Sequence, residues 1–332
     1  MLLKADLEHL MTDSEVTGLA AATVEEGAIT GIHTLGILGD APVDLDTLWA
    51  VASLTKPVLG YAALQLAEQG VIDLDHPLQN YLPTPYLKTE PYLAQMTARH
   101  ALSHTTGFPN WRDSHGLRAA FAPGTRFSYS SEGLNFLQVV VEHLLNLPLG
   151  EYLARNLFTP LQMYHTELGV ENQNDLNPHL KFLRGALLSN GALSLRTSIG
   201  DYARFMSAMF EVDPPPPLLS RSGRQAMLQP QIAVGDIPNL HWGLGWGLQT
   251  SSSGLSFWHW GARGTPQSMS FALGLPEQCR ALVIFTNHSK GLVLCRSLIE
   301  AWLGESALPA FEWLLPAETW RADGTKRIIP NR

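Results

Sequence analysis

Ser53-Leu54-Thr55-Lys56-Pro57 stands where the chain passes from a strand-like to a helical pattern, and it sets a hydroxyl and an amine three residues apart. A proline ring clashes with the carbonyl four residues back, so Pro57 requires Ser53 to sit at the very start of a helix. Leu59, Ala62, Ala63, Leu66 and Ala67 follow at three- and four-residue spacing, which predicts a helix with one buried stripe. Ser53 and Lys56 then share one face of its first turn. The serine oxygen lies beside an amine that can take its proton, at a helix end whose free N–H groups favour negative charge.

Working outward, an N-terminal helix over about residues 3–10 leads into two apolar stretches, Gly18 to Val24 and Ile29 to Leu38. These read as hairpin strands split by Glu25-Glu26-Gly27. From Ser53 to about Phe158 the pattern is helical, with Leu134, Leu137, Val141, Leu144 and Leu145 on one face. Strand signals return at Ser256 to Ala262, Ser268 to Leu275 and Ala281 to Thr286, broken by turn residues as in an antiparallel meander. Strands at both ends of a helical middle imply an α/β fold, an antiparallel sheet flanked by helices. Its discontinuous α/β domain spans residues 1–60 and 185–332, a mostly helical domain over 61–184 is inserted, and the cleft lies between them. Asp213 to Pro217, with four consecutive prolines, reads as a stiff surface loop.

The 332 residues are 45% hydrophobic and only 16% charged, enough for a large core. A net charge of -8 and the absence of lysine clusters argue against nucleic acid or an anionic membrane as partner and favour a small, neutral or mildly polar substrate. Gly18 to Val24 is too short for a signal-peptide core or a membrane span, so a cytoplasmic protein is expected, or an exported one if a signal has been trimmed. Cys279 and Cys295 are too few for a disulfide framework and read as small core residues.

Two further elements give the first its meaning. Tyr129-Ser130-Ser131 follows the turn Ala122-Pro123-Gly124-Thr125, and a phenol near Lys56 and Ser53 can relay a proton to a leaving group. His259-Trp260-Gly261 lies on a predicted strand where alternation puts Phe257, His259 and Gly261 on one side and Trp258, Trp260 and Ala262 on the other. Gly261 would leave room for a substrate backbone, and the N–H groups of Ser53 and Ala262 are candidate oxyanion donors. Alone, each element has a plain structural account: a helix cap, a half-buried aromatic, a core histidine. His100 and His104 have i,i+4 spacing with His115 downstream, but no carboxylate completes a metal-ligand set, so they read as core or turn histidines. No cofactor or metal is called for.

Taken together, the three elements resemble the serine hydrolases that include class C β-lactamases, low-molecular-weight penicillin-binding proteins and related esterases. The likeness extends to Leu66-Ala67-Glu68-Gln69-Gly70-Val71-Ile72-Asp73-Leu74-Asp75, Leu102-Ser103-His104-Thr105-Thr106-Gly107-Phe108-Pro109 and Pro123 to Ser130, and to Gly243-Leu244-Gly245-Trp246-Gly247 and Phe285-Thr286-Asn287. It covers about residues 15–300. The resemblance implies that Ser53 is the acylated nucleophile, that Lys56 and Tyr129 form the proton-transfer pair, and that His259 stands where the third motif has lysine or histidine. Members acting on β-lactams usually carry asparagine where this chain has Ser131, and many carry Lys-Thr-Gly. Ser131, Trp260, Gly261 and Arg263 are the expected substrate-binding positions, with Arg263 a candidate to supply the missing cation.

The expectation is a serine acyl-hydrolase with a covalent acyl-enzyme, most plainly an esterase on small acyl esters. A β-lactamase or D-alanyl-D-alanine carboxypeptidase, a transacylase and a non-catalytic ligand-binding relative are the alternatives. A free lysine titrates near 10.4, so Lys56 is a base near neutrality only where burial brings it far down; otherwise Tyr129 must serve.

Overall fold

β1 (Gly18–Glu25) is buried on both faces, with Ala20, Ala22 and Val24 entering one hydrophobic core and Leu19 and Ala21 the other. This is the period of two that a central strand requires. The computed structural model describes residues 4–114, 116–169, 189–211, 215–264 and 267–315. β1 turns through Glu26 and Gly27, both in left-handed backbone conformations, and pairs antiparallel with β2 (Ala28–Leu38), the geometry a two-residue hairpin favours.

The remaining strands are β3 (Ala41–Pro42), β4 (Trp49–Ala50), β5 (Thr166–Leu168), β6 (Leu195–Thr197), β7 (Ile232–Ala233), β8 (Leu240–Trp242), β9 (Gly247–Ser251), β10 (Gly254–Gly264), β11 (Gln267–Leu275) and β12 (Arg280–Thr286). Nine of the twelve described strands, β1 and β2 among them, form an antiparallel sheet in the order β3-β2-β1-β12-β11-β10-β9-β8-β7. Pairing of β1 with β12, from Leu19 opposite Thr286 to Val24 opposite Ala281, joins the early and late parts of the chain. A small second sheet has the order β4-β6-β5.

Helices cover both faces of the large sheet. α1 (Lys4–Ser14) is longer than the sequence pattern implied because Leu7 and Met11, one turn apart, are both buried. Among the described helices are α2 (Thr55–Glu68), α3 (Ala98–Leu102), α4 (Ser131–Leu145), α5 (Leu149–Leu153), α6 (Ile199–Ala208), α7 (Arg221–Met227), α8 (Gly291–Leu303) and α9 (Pro309–Leu314). One core holds residues of α1, α8 and α9 against the sheet; the other joins α2, α4 and α6 to its opposite face.

α2 departs from expectation: every residue from Thr55 to Leu66 is buried, not one stripe. Val58, Gly60, Tyr61 and Leu64 make it apolar or small on all sides, the signature of a helix enclosed by neighbours. A boundary after residue 60 falls inside α2, and one at 184/185 lies outside the described residues, as do Asp213 and Pro214 of the proline loop. Cys295 is fully buried, whereas Cys279 is half-buried in the β11–β12 turn with φ 50°, so only the former is a core residue.

Candidate active site

Ser53 lies in a single 3-10 turn, Ala52–Leu54, that runs into α2 two residues before Pro57. The backbone around it is tied from several directions. Val51 N donates to Leu195 O at 3.1 Å. The carbonyls of Ala50 and Val51 accept from Ser268 Oγ at 3.0 Å and Ser270 Oγ at 2.9 Å, both on β11. Ala52 O accepts from Thr55 Oγ1 at 2.6 Å, and Leu54 O from Tyr202 Oη at 3.0 Å. Ala52 itself is held at φ 49°, a conformation that costs a residue with a Cβ and persists where its surroundings fix it.

Gly261 belongs to this scaffold. A Cβ there would run into the Val51 carbonyl oxygen and Ser270 Oγ. The space that the sequence assigned to a substrate backbone is filled by the turn before the nucleophile.

Lys56, in the first turn of α2, is wholly buried. Its Nζ lies 2.8 Å from Ser53 Oγ and donates to Ala192 O at 2.7 Å. That carbonyl is itself placed by side chains: Ala192 N donates to Asn190 Oδ1 at 2.8 Å, and Gly191 N to Gln138 Oε1 of α4 at 2.7 Å. Burial drives the Lys56 pKa well below its ordinary value. No carboxylate opposes this, since no ion pair to Lys56 exists among the described residues. The amine therefore favours its neutral form.

Tyr129 enters on the segment that caps α4, where Ser130 Oγ accepts from Gly133 N at 3.0 Å and donates to Pro109 O at 2.9 Å. Its ring centroid is 5.0 Å from Lys56 Nζ and 4.8 Å from the Trp260 ring. The hydroxyl is buried without a hydrogen bond of ordinary geometry among the described residues. Burial pushes the phenol far up, and the nearby Ser53 hydroxyl opposes the shift. Tyr129 is thus a phenol, not a phenolate, in the resting site.

His259 is fully buried on β10, its ring 6.1 Å from that of Tyr129. Nδ1 lies 2.7 Å from Trp260 O, which can only accept, so the proton is assigned to Nδ1 and Nε2 is left as a buried acceptor without a partner among the described residues. Burial holds the imidazole well below its usual range, and it is neutral.

The other expected residues are placed differently. Ser131 is buried, and both its N–H, at 3.1 Å, and its Oγ, at 2.8 Å, donate to Asn110 Oδ1. Half-exposed Trp260 is flanked by Trp313 of α9, whose ring stands nearly perpendicular at 5.1 Å. Ala262 is exposed and Arg263 half-buried. Pairing of β10 with β9 ends at Trp258, while pairing with β11 runs on to Gly264, so residues 259–264 form a sheet edge on the β9 side.

Asn110, the Ala192 carbonyl and His104 were not picked out from the sequence. A backbone carbonyl leaves no side-chain signature, and the sequence around His104 reads as that of a core or turn histidine. His100 fits that description: with Thr97 it forms the capping box of α3. His104 does not, because its ring centroid is 4.3 Å from that of Tyr129.

Relatives agree with this architecture. Penicillin-binding protein 4* of Bacillus subtilis is 22% identical over 345 residues, covering 86% of this chain and 70% of that protein. Esterase EstB of Burkholderia gladioli is 27% identical over 198 residues, 48% of this chain and 49% of its own length. Among solved structures, the octameric penicillin-binding protein homologue from Pyrococcus abyssi superimposes with a TM-score of 0.74 at 18% identity, covering 92% of this chain and 78% of that one. The family model described as Beta-lactamase matches residues 3–298, and with nearly the whole chain accounted for in this way, the protein belongs to the beta-lactamase family of serine hydrolases.

Proposed function

We propose that this protein hydrolyses small uncharged esters through an acyl-enzyme on Ser53. The observation that carries the reading is the buried Lys56 amine 2.8 Å from Ser53 Oγ with no carboxylate to keep it charged. A neutral amine accepts the hydroxyl proton as Oγ attacks the ester carbonyl carbon. The developing oxyanion is taken by the N–H groups of Ser53 and Ala262. Tyr129, kept protonated by burial, gives its proton to the departing alkoxide and recovers one from Lys56. Water then attacks the acyl carbon and the same groups work in reverse, so the proton count closes.

Esters are favoured because the third motif offers a neutral imidazole where a carboxylate-bearing β-lactam would want a fixed cation. An esterase stands among the relatives beside a penicillin-binding protein, which supports the class without choosing within it. The test is a parallel measurement of kcat/KM on a short p-nitrophenyl ester, a chromogenic cephalosporin and a D-alanyl dipeptide. The ester is expected to be fastest. A faster cephalosporin or dipeptide replaces the esterase reading with that activity, and no turnover of any of them favours a ligand-binding relative.

A further inference from the structure

We infer that His104 is the positioning residue that sets Tyr129 for proton transfer; the inference deepens the acyl-hydrolase reading and rests on it. His104 grips the tyrosine from both sides along the chain. Its carbonyl accepts from Ser128 N at 2.8 Å, and its Nδ1 lies 3.1 Å from Ser130 N. Residues 128 and 130 bracket Tyr129, so one residue fixes the backbone immediately before and after the phenol. The imidazole also packs against the phenol ring at a centroid distance of 4.3 Å. Three restraints from one side chain and its own carbonyl leave Tyr129 little freedom to turn.

Nδ1 is also 3.1 Å from Ser130 O. Ser130 is the N-cap of α4, and the carbonyl of an N-cap already accepts from the helix, whereas among the described residues its N–H donates to Nδ1 alone. Nδ1 is therefore the acceptor and the proton is on Nε2, which is buried without a partner among the described residues. His259 has the opposite assignment, its bare Nε2 acceptor buried in the same aromatic cluster. Both imidazoles thus lie near the Tyr129 ring, His104 as a donor and His259 as an acceptor. Further support lies in the backbone: His104 is held at φ 56°, a left-handed conformation uncommon for any residue but glycine and asparagine, and such strain clusters at functional sites.

The experiment measures single-turnover acylation by a p-nitrophenyl ester, KM and thermal stability for His104→Ala and His104→Asn, each also in a Tyr129→Phe background. Asparagine keeps an acceptor where Nδ1 was and tolerates the left-handed backbone. His104→Ala is expected to slow acylation about 100-fold, the usual cost of misplacing a reacting group, with KM within about twofold of wild type. His104→Asn should recover most of that loss. In the Tyr129→Phe background His104→Ala should add almost nothing, because the histidine acts through the phenol. Equal losses in both backgrounds, failure of asparagine to rescue a stably folded variant, or no loss at all would overturn the inference. Wild-type acylation reports on the hydrolase reading and the variant ratios on His104, so the failure of one is not mistaken for the other.

Discussion

The turn that carries Ser53 and the aromatic wall that carries Tyr129 meet at one site but are built in opposite ways. Around Ser53 the carbonyls of residues 50, 51, 52 and 54 each accept a side-chain hydrogen bond, and the lysine amine has two oxygen neighbours. On the other side Tyr129 Oη, His104 Nε2 and His259 Nε2 are all buried without a hydrogen bond of ordinary geometry among the described residues. Buried polar groups normally find partners, and those that do not mark strain or function. The difference teaches a division of labour. The satisfied side holds a nucleophile still, and the unsatisfied side keeps its donors and acceptors for protons and substrate.

The sharpest way to break the comparison is to remove the nucleophile. Ser53→Ala should drop ester turnover to the uncatalysed background, since nothing else in the tied turn can take an acyl group; residual saturable turnover at more than about a thousandth of the wild-type rate would move the nucleophile elsewhere.

Next in size is the proton pair. Lys56→Ala and Tyr129→Phe should each cut kcat by about 100- to 10,000-fold, the span of general acid–base catalysis. The double variant should fall little below the worse single one, because both groups serve one proton path. Additive losses in steady-state assays would mean that the two sides act independently.

Smaller still is the effect of charge on substrate choice. A charge-assisted hydrogen bond to a carboxylate contributes about 1.5 to 3 kcal/mol, or one to two decades in binding. His259→Lys should therefore raise cephalosporin kcat/KM relative to ester kcat/KM by about 10- to 100-fold. An unchanged ratio would show that the cation is already supplied, and Arg263→Ala should then weaken cephalosporin binding selectively.

The smallest effect is on stability and has a definite sign with pH. Unfolded Lys56 titrates near 10.4, whereas burial lowers its pKa in the fold. Below about pH 10 the unfolded chain binds the extra proton, so this lysine destabilises the fold by an amount that grows as pH falls and levels off below the folded pKa. Lys56→Met should remove that dependence. Urea denaturation of wild type and variant at pH 6, 8 and 10 should show the variant gaining most, relative to wild type, at pH 6. A difference that does not change with pH would mean the lysine is charged in the folded state.

Much of this was legible in the sequence. Pro57 limits where α2 can begin, and alternation along β10 separates Phe257, His259 and Gly261 from Trp258, Trp260 and Ala262; the fold accordingly places Phe257 in the core with α2 and Trp258 in the other. The closure of the sheet by β1 on β12 followed from apolar runs at both ends of the chain. What the residues could not show was contact across long separations. Gly261 looked like space for substrate because no pattern says that Val51, 210 residues earlier, fills it. Ser131 looked like a substrate contact because its partner, Asn110, lies in a loop with no periodicity. His104 reads from the sequence only as a core or turn histidine, since no carboxylate completes a ligand set with it, and only the fold brings it against Tyr129.

The central claim, that Ser53 becomes covalently acylated with Lys56 as its base, is tested most directly by mass spectrometry of protein treated with a fluorophosphonate probe across a range of pH. The account predicts one adduct per chain, mapped to the peptide bearing Ser53. Its rate of formation should fall as acid protonates Lys56, and the adduct should be lost in Ser53→Ala. An adduct on another residue, or equally fast labelling of Ser53 in Lys56→Ala, would contradict it.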